Sequence, residues 1–119
     1  MINKDIKSLD IKFQKKVALF LQEAKNQGLN IMIFEGLRSI ERQKALYAIG
    51  RTTEPNRKPV TWTLKSNHLT GKAVDIVFNV NWQPSWNWDY NKLIIIAKRF
   101  WIENLKPKET CHFEDNWIY

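Results

Sequence analysis

The stretch SNHLTGKAVDIVF, residues 66–78, joins a predicted strand to two side chains of the kind that bind metals. Its second half alternates with a period of two, which predicts a β-strand. The two faces of that strand are Ala73, Asp75 and Val77 on one side, and Val74, Ile76 and Phe78 on the other. His68 precedes Asp75 by seven positions. We expect Gly71 between them to permit a tight turn, or the close approach of another backbone.

The composition is that of one folded domain with a basic surface. The chain has 119 residues, of which 44% are hydrophobic, and this suits a single domain over 1–119 with its own core. A formal charge of +7 favours anionic partners such as nucleic acid, acidic wall polymers, a membrane surface or a carboxylate-bearing substrate. Lys and Arg are scattered in runs no longer than two, so we expect no nucleic-acid partner.

The N-terminal segment is predicted to be an amphipathic helix. Asp10 is placed to cap it and Gly28 to end it. Its apolar residues at helical spacing are Leu9, Phe13, Val17, Phe20, Leu21 and Ala24. Packing on a core is favoured over lying on a membrane surface. Charges interrupt the segment and its longest apolar run is five residues, so we expect neither a signal peptide nor a membrane span.

The remaining pattern predicts a small α+β domain, with about three helices packed on a short antiparallel sheet. The elements are a strand over 29–34, a helix over 40–50, a loop over 51–65, the strand over 72–78, a helix over 90–105 broken by Pro107, and a last strand within 108–119. The loop is long enough to border a site. The aromatic turn over 79–91 either packs the edge of the core or offers a platform for a sugar or peptide.

Both histidines of the chain lie near carboxylates in sequence. His68 is followed by Asp75, and His112 comes three positions after Glu109. A catalytic zinc ion takes three protein ligands and keeps a fourth position for water, while a carboxylate that is not a ligand accepts the proton of that water. Either motif alone is explained by a solvated histidine and an aspartate that caps a turn. The two together favour a zinc site.

These motifs resemble those of the M15 metallopeptidases. SNHLTGKAVD fits the pattern S-x-H-x-x-G-x-A-x-D, and ETCH at 109–112 fits the later E-x-x-H. IFEGLRSIERQKALYAIGRT at 33–52 and WNWDYNKL at 86–93 resemble the L-alanyl-D-glutamate endopeptidases found among bacteriophage endolysins. The resemblance runs from about residue 9 to the end. It implies a fold like that of hedgehog proteins and D-Ala-D-Ala peptidases, with Zn²⁺ as the cofactor.

The resemblance also implies roles for individual residues. The metal ligands would be His68, Asp75 and His112. Glu109 would be the general base and acid, and Arg38 would bind substrate or steady the developing oxyanion. Ser66 would contact substrate or orient its loop. Weaker substrate-binding candidates are Gln43, Tyr47 and Arg51. For Tyr47 the alternative is helix packing, and for Arg51 it is a solvated charge.

The function implied is zinc-dependent hydrolysis of the peptidoglycan stem peptide, most directly at the L-alanyl-D-glutamate bond. Many endopeptidase relatives have Asp and Pro where this chain has Glu109 and Cys111, so a D-Ala-D-Ala carboxypeptidase or dipeptidase stays open. Two non-enzymatic functions also stay open: a non-catalytic binder of zinc or wall peptide, and a basic nucleic-acid-binding domain. We expect a monomeric phage or prophage lysin, without a separate wall-binding domain. It would be cytoplasmic until its release to the cell wall.

Overall fold

The computed structural model describes residues 2–61, 63–106 and 109–116, except for the side chain of Glu109. It contains three α-helices, five strands and two short 3-10 helices in this part of the chain. The helices are α1 (Ile11–Asn26), α2 (Ile40–Ala48) and α3 (Asn91–Lys98), and the 3-10 helices are Ile6–Ser8 and Asn67–Thr70. The strands are β1 (Ile31–Glu35), β2 (Ala73–Val80), β3 (Gln83–Ser85), β4 (Ile102–Leu105) and β5 (Glu109–Asp115). The predicted α+β class with three helices is confirmed.

All strand pairs of the sheet are antiparallel. The order is β1-β2-β5-β4, and β3 also pairs with β2. The register sets Asp75 of β2 opposite Glu35 of β1 and also opposite His112 of β5. Three ionisable residues on three neighbouring strands therefore form one row across the sheet.

The hydrophobic core lies between one face of the sheet and the helices α1 and α3. Its fully buried members include Phe13, Val17, Phe20, Val74, Ile76, Leu93, Ile96 and Phe113. Rings of α1 and β5 meet here, with the centroids of Phe20 and Phe113 5.4 Å apart. Because side chains alternate along a strand, Asp75 between Val74 and Ile76 faces away from this core. The core thus anchors the strand that carries the carboxylate.

Three local predictions are confirmed where the chain turns. The side chain of Asp10 caps α1 by accepting the N–H of Phe13 at 3.2 Å. Gly28 follows α1 with a φ of +81°, and Gly71 ends the second 3-10 helix with a φ of +72°. A Cβ on Gly71 would lie 2.8 Å from the backbone nitrogen of Asp10. Gly71 therefore permits both the turn and the close approach of a second backbone.

The predicted helix over 90–105 is wrong in its second half. The helix α3 ends at Lys98, and Trp101 has a φ of +60°, which no helix contains. Residues 102–105 form β4 because they pair with β5 and bury Ile102 in the core, and this pairing outweighs their helical spacing. The aromatic turn over 79–91 also contains β3. Pro107 lies outside the described residues. No helix of the described chain is long and apolar enough to cross a membrane.

Candidate metal centre and cleft

The structure brings His68, Asp75 and His112 together. Nε2 of His68 lies 3.2 Å from Oδ1 of Asp75, and Nδ1 of His112 lies 3.7 Å from the same oxygen. One ligand atom from each residue falls within 4.8 Å of the other two. Both imidazoles are almost fully buried, at 1% and 3% exposure. Two buried nitrogens and one carboxylate oxygen converging on one point are the donor set that a divalent cation takes.

Separate elements deliver the three side chains. Asp75 and His112 are cross-strand partners in β2 and β5. His68 comes from the 3-10 helix before β2, and Oγ of Ser66 caps that helix by accepting the N–H of His68 at 3.2 Å. The carbonyl of His68 accepts the N–H of Arg38 at 2.9 Å, which ties this turn to the loop after β1. The two roles predicted for Ser66, a contact to substrate and orientation of its loop, stay predictions.

The outer nitrogen of each histidine fixes which nitrogen faces Asp75. Nδ1 of His68 lies 2.7 Å from the carbonyl oxygen of Gly36, and Nε2 of His112 lies 2.8 Å from Oε1 of Glu114. A carbonyl and an ionised carboxylate only accept, so these nitrogens carry the protons. In the neutral imidazoles that bind a metal, the inner nitrogens then present lone pairs. The residues therefore fit a zinc ion, with Glu114 as a carboxylate behind a histidine.

Glu114 was not predicted from sequence. The signal was available, since residues two apart on a strand share a face and Glu114 follows His112 by two in β5. The hydrogen bond from His112 lowers the pKa of the Glu114 carboxyl below its ordinary value, against the effect of burial. The carboxylate is thus ionised and able to accept the imidazole N–H.

Asp75 stays ionised in spite of its burial. Burial raises the pKa of this carboxyl, but the hydrogen bond that protonated His68 donates, and the charges of protonated His68 and His112 and of Arg38, lower it by more. Nη2 of Arg38 lies 3.2 Å from Oδ2 of Asp75. The guanidinium holds one carboxylate oxygen and leaves the other, Oδ1, facing the two histidines. A carboxylate fixed in this way is a preorganised metal ligand.

Arg38, predicted to bind substrate or an oxyanion, is buried and bonded to other protein groups. Its Nη1 donates to Oε1 of Gln43 at 2.7 Å, and its Nη2 donates to both Glu35 and Asp75. Gln43, a weaker substrate-binding candidate, is fully buried and donates from Nε2 to the carbonyl of Thr63 at 2.6 Å. In this structure the side chains of Arg38 and Gln43 support the cluster of His68, Asp75 and His112 and the loop beside it.

Two further charged residues, Glu35 and Arg42, were not predicted from sequence. Glu35 is 1% exposed and accepts from Nη2 of Arg38 at 2.8 Å and from Nε and Nη2 of Arg42. Burial raises the pKa of its carboxyl, yet the hydrogen bonds from Arg42 and Arg38 outweigh burial and lower that pKa. A glutamate closing the apolar strand 31–35, three residues before an arginine, was the available signal.

A cleft of about 470 Å³ opens beside the cluster and is bordered by Asp75. Its walls include Phe34, Leu46, Val60 and Trp86, with the guanidinium groups of Arg38 and Arg42 among the polar lining. The loop over 51–65 borders the cleft as predicted. The rings of Trp86 and Phe34 meet edge to face at 5.0 Å. Trp86 thus both packs on a strand and lines the cleft, whereas Trp88 packs on Phe78 at 5.8 Å.

The other predicted residues lie around this centre. The guanidinium of Arg51 stacks on Tyr47 at 3.9 Å and donates to the carbonyl of Thr61 at 3.2 Å, so this pair braces the loop. Within the described chain, neither Tyr47 nor Arg51 is among the residues lining the cleft. The backbone of Glu109 opens β5, but its side chain is outside the described residues. Cys111 lines the cleft and does not belong to the three-residue cluster.

A family model described as VanY, D-alanyl-D-alanine carboxypeptidase, matches residues 6–93. The chain belongs to this family. The family resemblance drawn from the motifs is thereby confirmed. Among curated proteins, the chain is similar to the peptidoglycan L-alanyl-D-glutamate endopeptidase CwlK of Bacillus subtilis, with 29% identity over 96 residues. That alignment covers 76% of this chain and 54% of the relative, so the chain spans about half of the length of CwlK.

Solved structures show the same fold. The L-Ala D-Glu endopeptidase ChiX of Serratia marcescens matches with a TM-score of 0.68 and 26% identity, over 92% of this chain and 81% of that one. A mutant of the vancomycin resistance D,D-pentapeptidase VanY from a VanB-type cassette, in complex with Zn(II), matches with a TM-score of 0.73 and 20% identity. That match covers 92% of this chain and 74% of the other, and it bears on the fold alone.

Proposed function

We propose that residues 1–119 act as a zinc-dependent peptidase domain that hydrolyses the stem peptide of peptidoglycan. The observation that carries the proposal is the cluster of buried His68 and His112 with partly buried Asp75, which borders the cleft. Family membership agrees with it, because the family model is that of a peptidase of wall peptides. A nucleic-acid-binding domain leaves this arrangement without a use, and a non-catalytic binder of zinc or wall peptide has no need of the additional carboxylate of Glu109.

The chain's own groups would divide the chemistry among them. A zinc ion bound by the cluster supplies a Lewis acid and lowers the pKa of water from ~15.7 towards ~7. Arg38 holds Asp75 in place from behind, and Glu114 does the same for His112. Glu109 would accept a proton from the attacking water and deliver it to the leaving amine. Apolar walls beside the cluster would hold the peptide and exclude bulk water.

The bond between L-Ala and D-Glu in the stem peptide is our first choice of scissile bond. The relatives CwlK and ChiX, at 29% and 26% identity, are both described as L-alanyl-D-glutamate endopeptidases. The family model instead carries the description of a D-alanyl-D-alanine carboxypeptidase, which supports removal of a terminal D-Ala as the second candidate. Both reactions use the same metal centre. They differ in what must fit on the leaving side of the bond.

We also propose the setting in which this chemistry takes place. The formal charge of +7 suits attraction to a bacterial wall, which is rich in anionic groups. A phage or prophage lysin that works as a monomer, and that reaches the wall after the membrane is opened, agrees with this charge and with the resemblance to endolysins. Gel filtration of the zinc-loaded protein, and lysis assays on permeabilised cells, test the monomer and the lysin respectively.

The decisive experiment is mass analysis of purified peptidoglycan after incubation with the zinc-loaded protein, beside a chelated sample. New free N-termini on D-Glu in the loaded sample alone would support the endopeptidase. Loss of terminal D-Ala would move the activity to the carboxypeptidase. No product from several wall types, with one zinc bound per chain, would contradict both and favour a binder.

A variant separates turnover from metal binding in the same experiment. Glu109→Gln removes the proposed base and keeps the size of the side chain, so products should disappear while zinc stays bound. Glu103→Gln on β4 is the matched control, since Glu103 is exposed and its loss changes the charge equally. Loss of zinc from Glu109→Gln would mean that Glu109 is a ligand.

A further inference from the structure

Two guanidinium groups line the cleft, and they differ in which of their N–H donors are already hydrogen-bonded to the protein. Both Nη atoms of Arg38 donate to protein acceptors, and its side chain is 7% exposed. Arg42 is 22% exposed, and only its Nε and Nη2 are bonded, both to Glu35. Among the described residues, Nη1 of Arg42 has no hydrogen-bond partner. Nε of Arg38 also has no hydrogen-bond partner, but that atom is buried. Arg42, the more exposed of the two arginines, is therefore the cation of this cleft whose spare donor is better placed to meet a ligand.

We propose that Arg42 binds the α-carboxylate of the substrate residue on the leaving side of the scissile bond. This inference rests on the proposed function and names the part of the substrate that the cleft recognises. In the stem peptide D-Glu continues through its γ-carboxyl, so its α-carboxylate is free. A terminal D-Ala also has a free α-carboxylate. Both candidate bonds thus place a carboxylate on the carbon next to the leaving nitrogen.

Glu35 prepares Arg42 for this task. The buried carboxylate accepts two hydrogen bonds from Arg42, which fixes the plane of the guanidinium before any substrate arrives. An arginine held in this way loses little side-chain entropy on binding, and its fork matches the geometry of a carboxylate. Since Glu35 also accepts from Arg38, the same anchor fixes Arg42 relative to the residue that holds Asp75.

The charge balance of the cleft agrees with an anionic ligand. The carboxylates of Glu35 and Asp75 are matched by the guanidinium groups of Arg38 and Arg42. A divalent ion on the histidine cluster would add two positive charges, and the Glu114 carboxylate behind His112 would offset one of them, so these described groups together keep a net positive charge. A substrate carboxylate would compensate that charge, whereas an amidated residue such as D-isoglutamine would not.

The test compares two peptides that differ in one group, L-Ala-γ-D-Glu-L-Lys and its α-amide, L-Ala-D-isoglutaminyl-L-Lys. The quantity measured is the ratio of kcat/KM for acid over amide, which does not depend on how much of a variant is folded. We expect the wild type to favour the acid by about 10- to 100-fold, in the range of a charge-assisted hydrogen bond. Arg42→Gln should bring the ratio near one, mainly through a change in KM. Arg42→Lys should give a ratio between those of the wild type and Arg42→Gln.

Lys44→Gln is the control, since Lys44 is an exposed cation of the same helix, and it should keep the wild-type ratio. Equal cleavage of both peptides by the wild type, or an unchanged ratio in Arg42→Gln, would overturn the inference and leave the proposed function standing. If the wild type releases only terminal D-Ala, the two substrates compared are a peptide that ends in D-Ala with a free carboxylate and the same peptide with a C-terminal carboxamide. If it cuts nothing, calorimetric Kd values of the same pair for the zinc-loaded wild type and Arg42→Gln decide the inference alone.

Discussion

Asp75 and His112 lie directly opposite each other on neighbouring antiparallel strands, with Oδ1 of Asp75 3.7 Å from Nδ1 of His112. Glu35 continues the same row on the third strand. Two of the three metal-binding candidates are thus set by the register of the sheet, and a slip of one residue would turn one of them to the other face. Sites built on strands in this way hold their geometry better than sites on loops.

Asp75→Asn tests the carboxylate of the cluster. The amide keeps the size of the side chain but removes the negative charge that two imidazoles and Arg38 surround. We expect zinc affinity to fall by more than the roughly 10- to 100-fold typical of groups behind a ligand. Competition with a chromophoric chelator measures it. Asp89→Asn, an exposed carboxylate, is the control, and equal affinity in the two variants would contradict the ligand role.

Glu114→Ala tests the carboxylate behind His112. Loss of the 2.8 Å hydrogen bond frees the imidazole to rotate or to adopt the other tautomer, so zinc affinity should fall by about 10- to 100-fold. The zinc affinity of Glu114→Gln should fall less, because the amide oxygen still accepts the N–H of His112. Nitrogen NMR of His112 in the zinc-loaded protein reports the tautomer directly.

The control for Glu114 lies on the next strand. Glu103 of β4 is the cross-strand partner of Glu114, so Glu103→Gln removes the same charge from the same part of the sheet. Zinc affinity should be unchanged in that variant. If Glu103→Gln weakens zinc as much as Glu114→Gln does, the effect is one of overall charge and not of the hydrogen bond.

Local sequence signals were sufficient for the parts of the fold that local chemistry decides. The cap at Asp10, the turn at Gly71 and the two-faced strand carrying Asp75 each depend on residues a few positions apart. The helix beyond Lys98 was predicted wrongly because Leu93, Ala97, Phe100 and Trp101 recur at helical spacing. The pairing with β5 that decides between helix and strand involves distant residues.

The residues of the candidate site fall into the same two groups, those that local sequence indicates and those that only contacts between distant residues reveal. His68 and His112 were visible because the chain has only two histidines, each near a carboxylate. Glu35 and Arg42 were missed because they matter through contacts that only the register of β1 and the position of α2 create. The same contacts show Arg38 bonded to the protein, which no spacing in the sequence could indicate.

Acid should weaken the fold through Glu35. Its folded-state pKa lies below the ordinary value of 4.5, so its stabilisation is present above about pH 4.5 and is lost as the pH falls through the folded-state pKa. Glu35→Gln should therefore cost about 3 kcal/mol at pH 7, because two guanidinium groups lose a buried partner, and less at low pH.

Urea unfolding of the zinc-free protein at pH 7 and pH 3 measures the effect of Glu35. Glu41→Gln in α2, an exposed carboxylate of the same region, should change stability little at either pH. A Glu35→Gln penalty that is the same at both pH values would show that Glu35 acts through packing and not through its charge.

Gly71→Ala and Gly28→Ala form a matched pair, since both glycines have a φ between +72° and +81°. A Cβ at Gly28 meets nothing within 4 Å, so alanine there should cost about 1–2 kcal/mol, the price of the left-handed conformation alone. At Gly71 the Cβ would meet the backbone of Asp10 at 2.8 Å, which should add about 1–3 kcal/mol. Urea unfolding of the zinc-free variants measures both. Equal losses would mean that the chain near Asp10 yields without cost, and that the turn after His68 needs only a permissive φ.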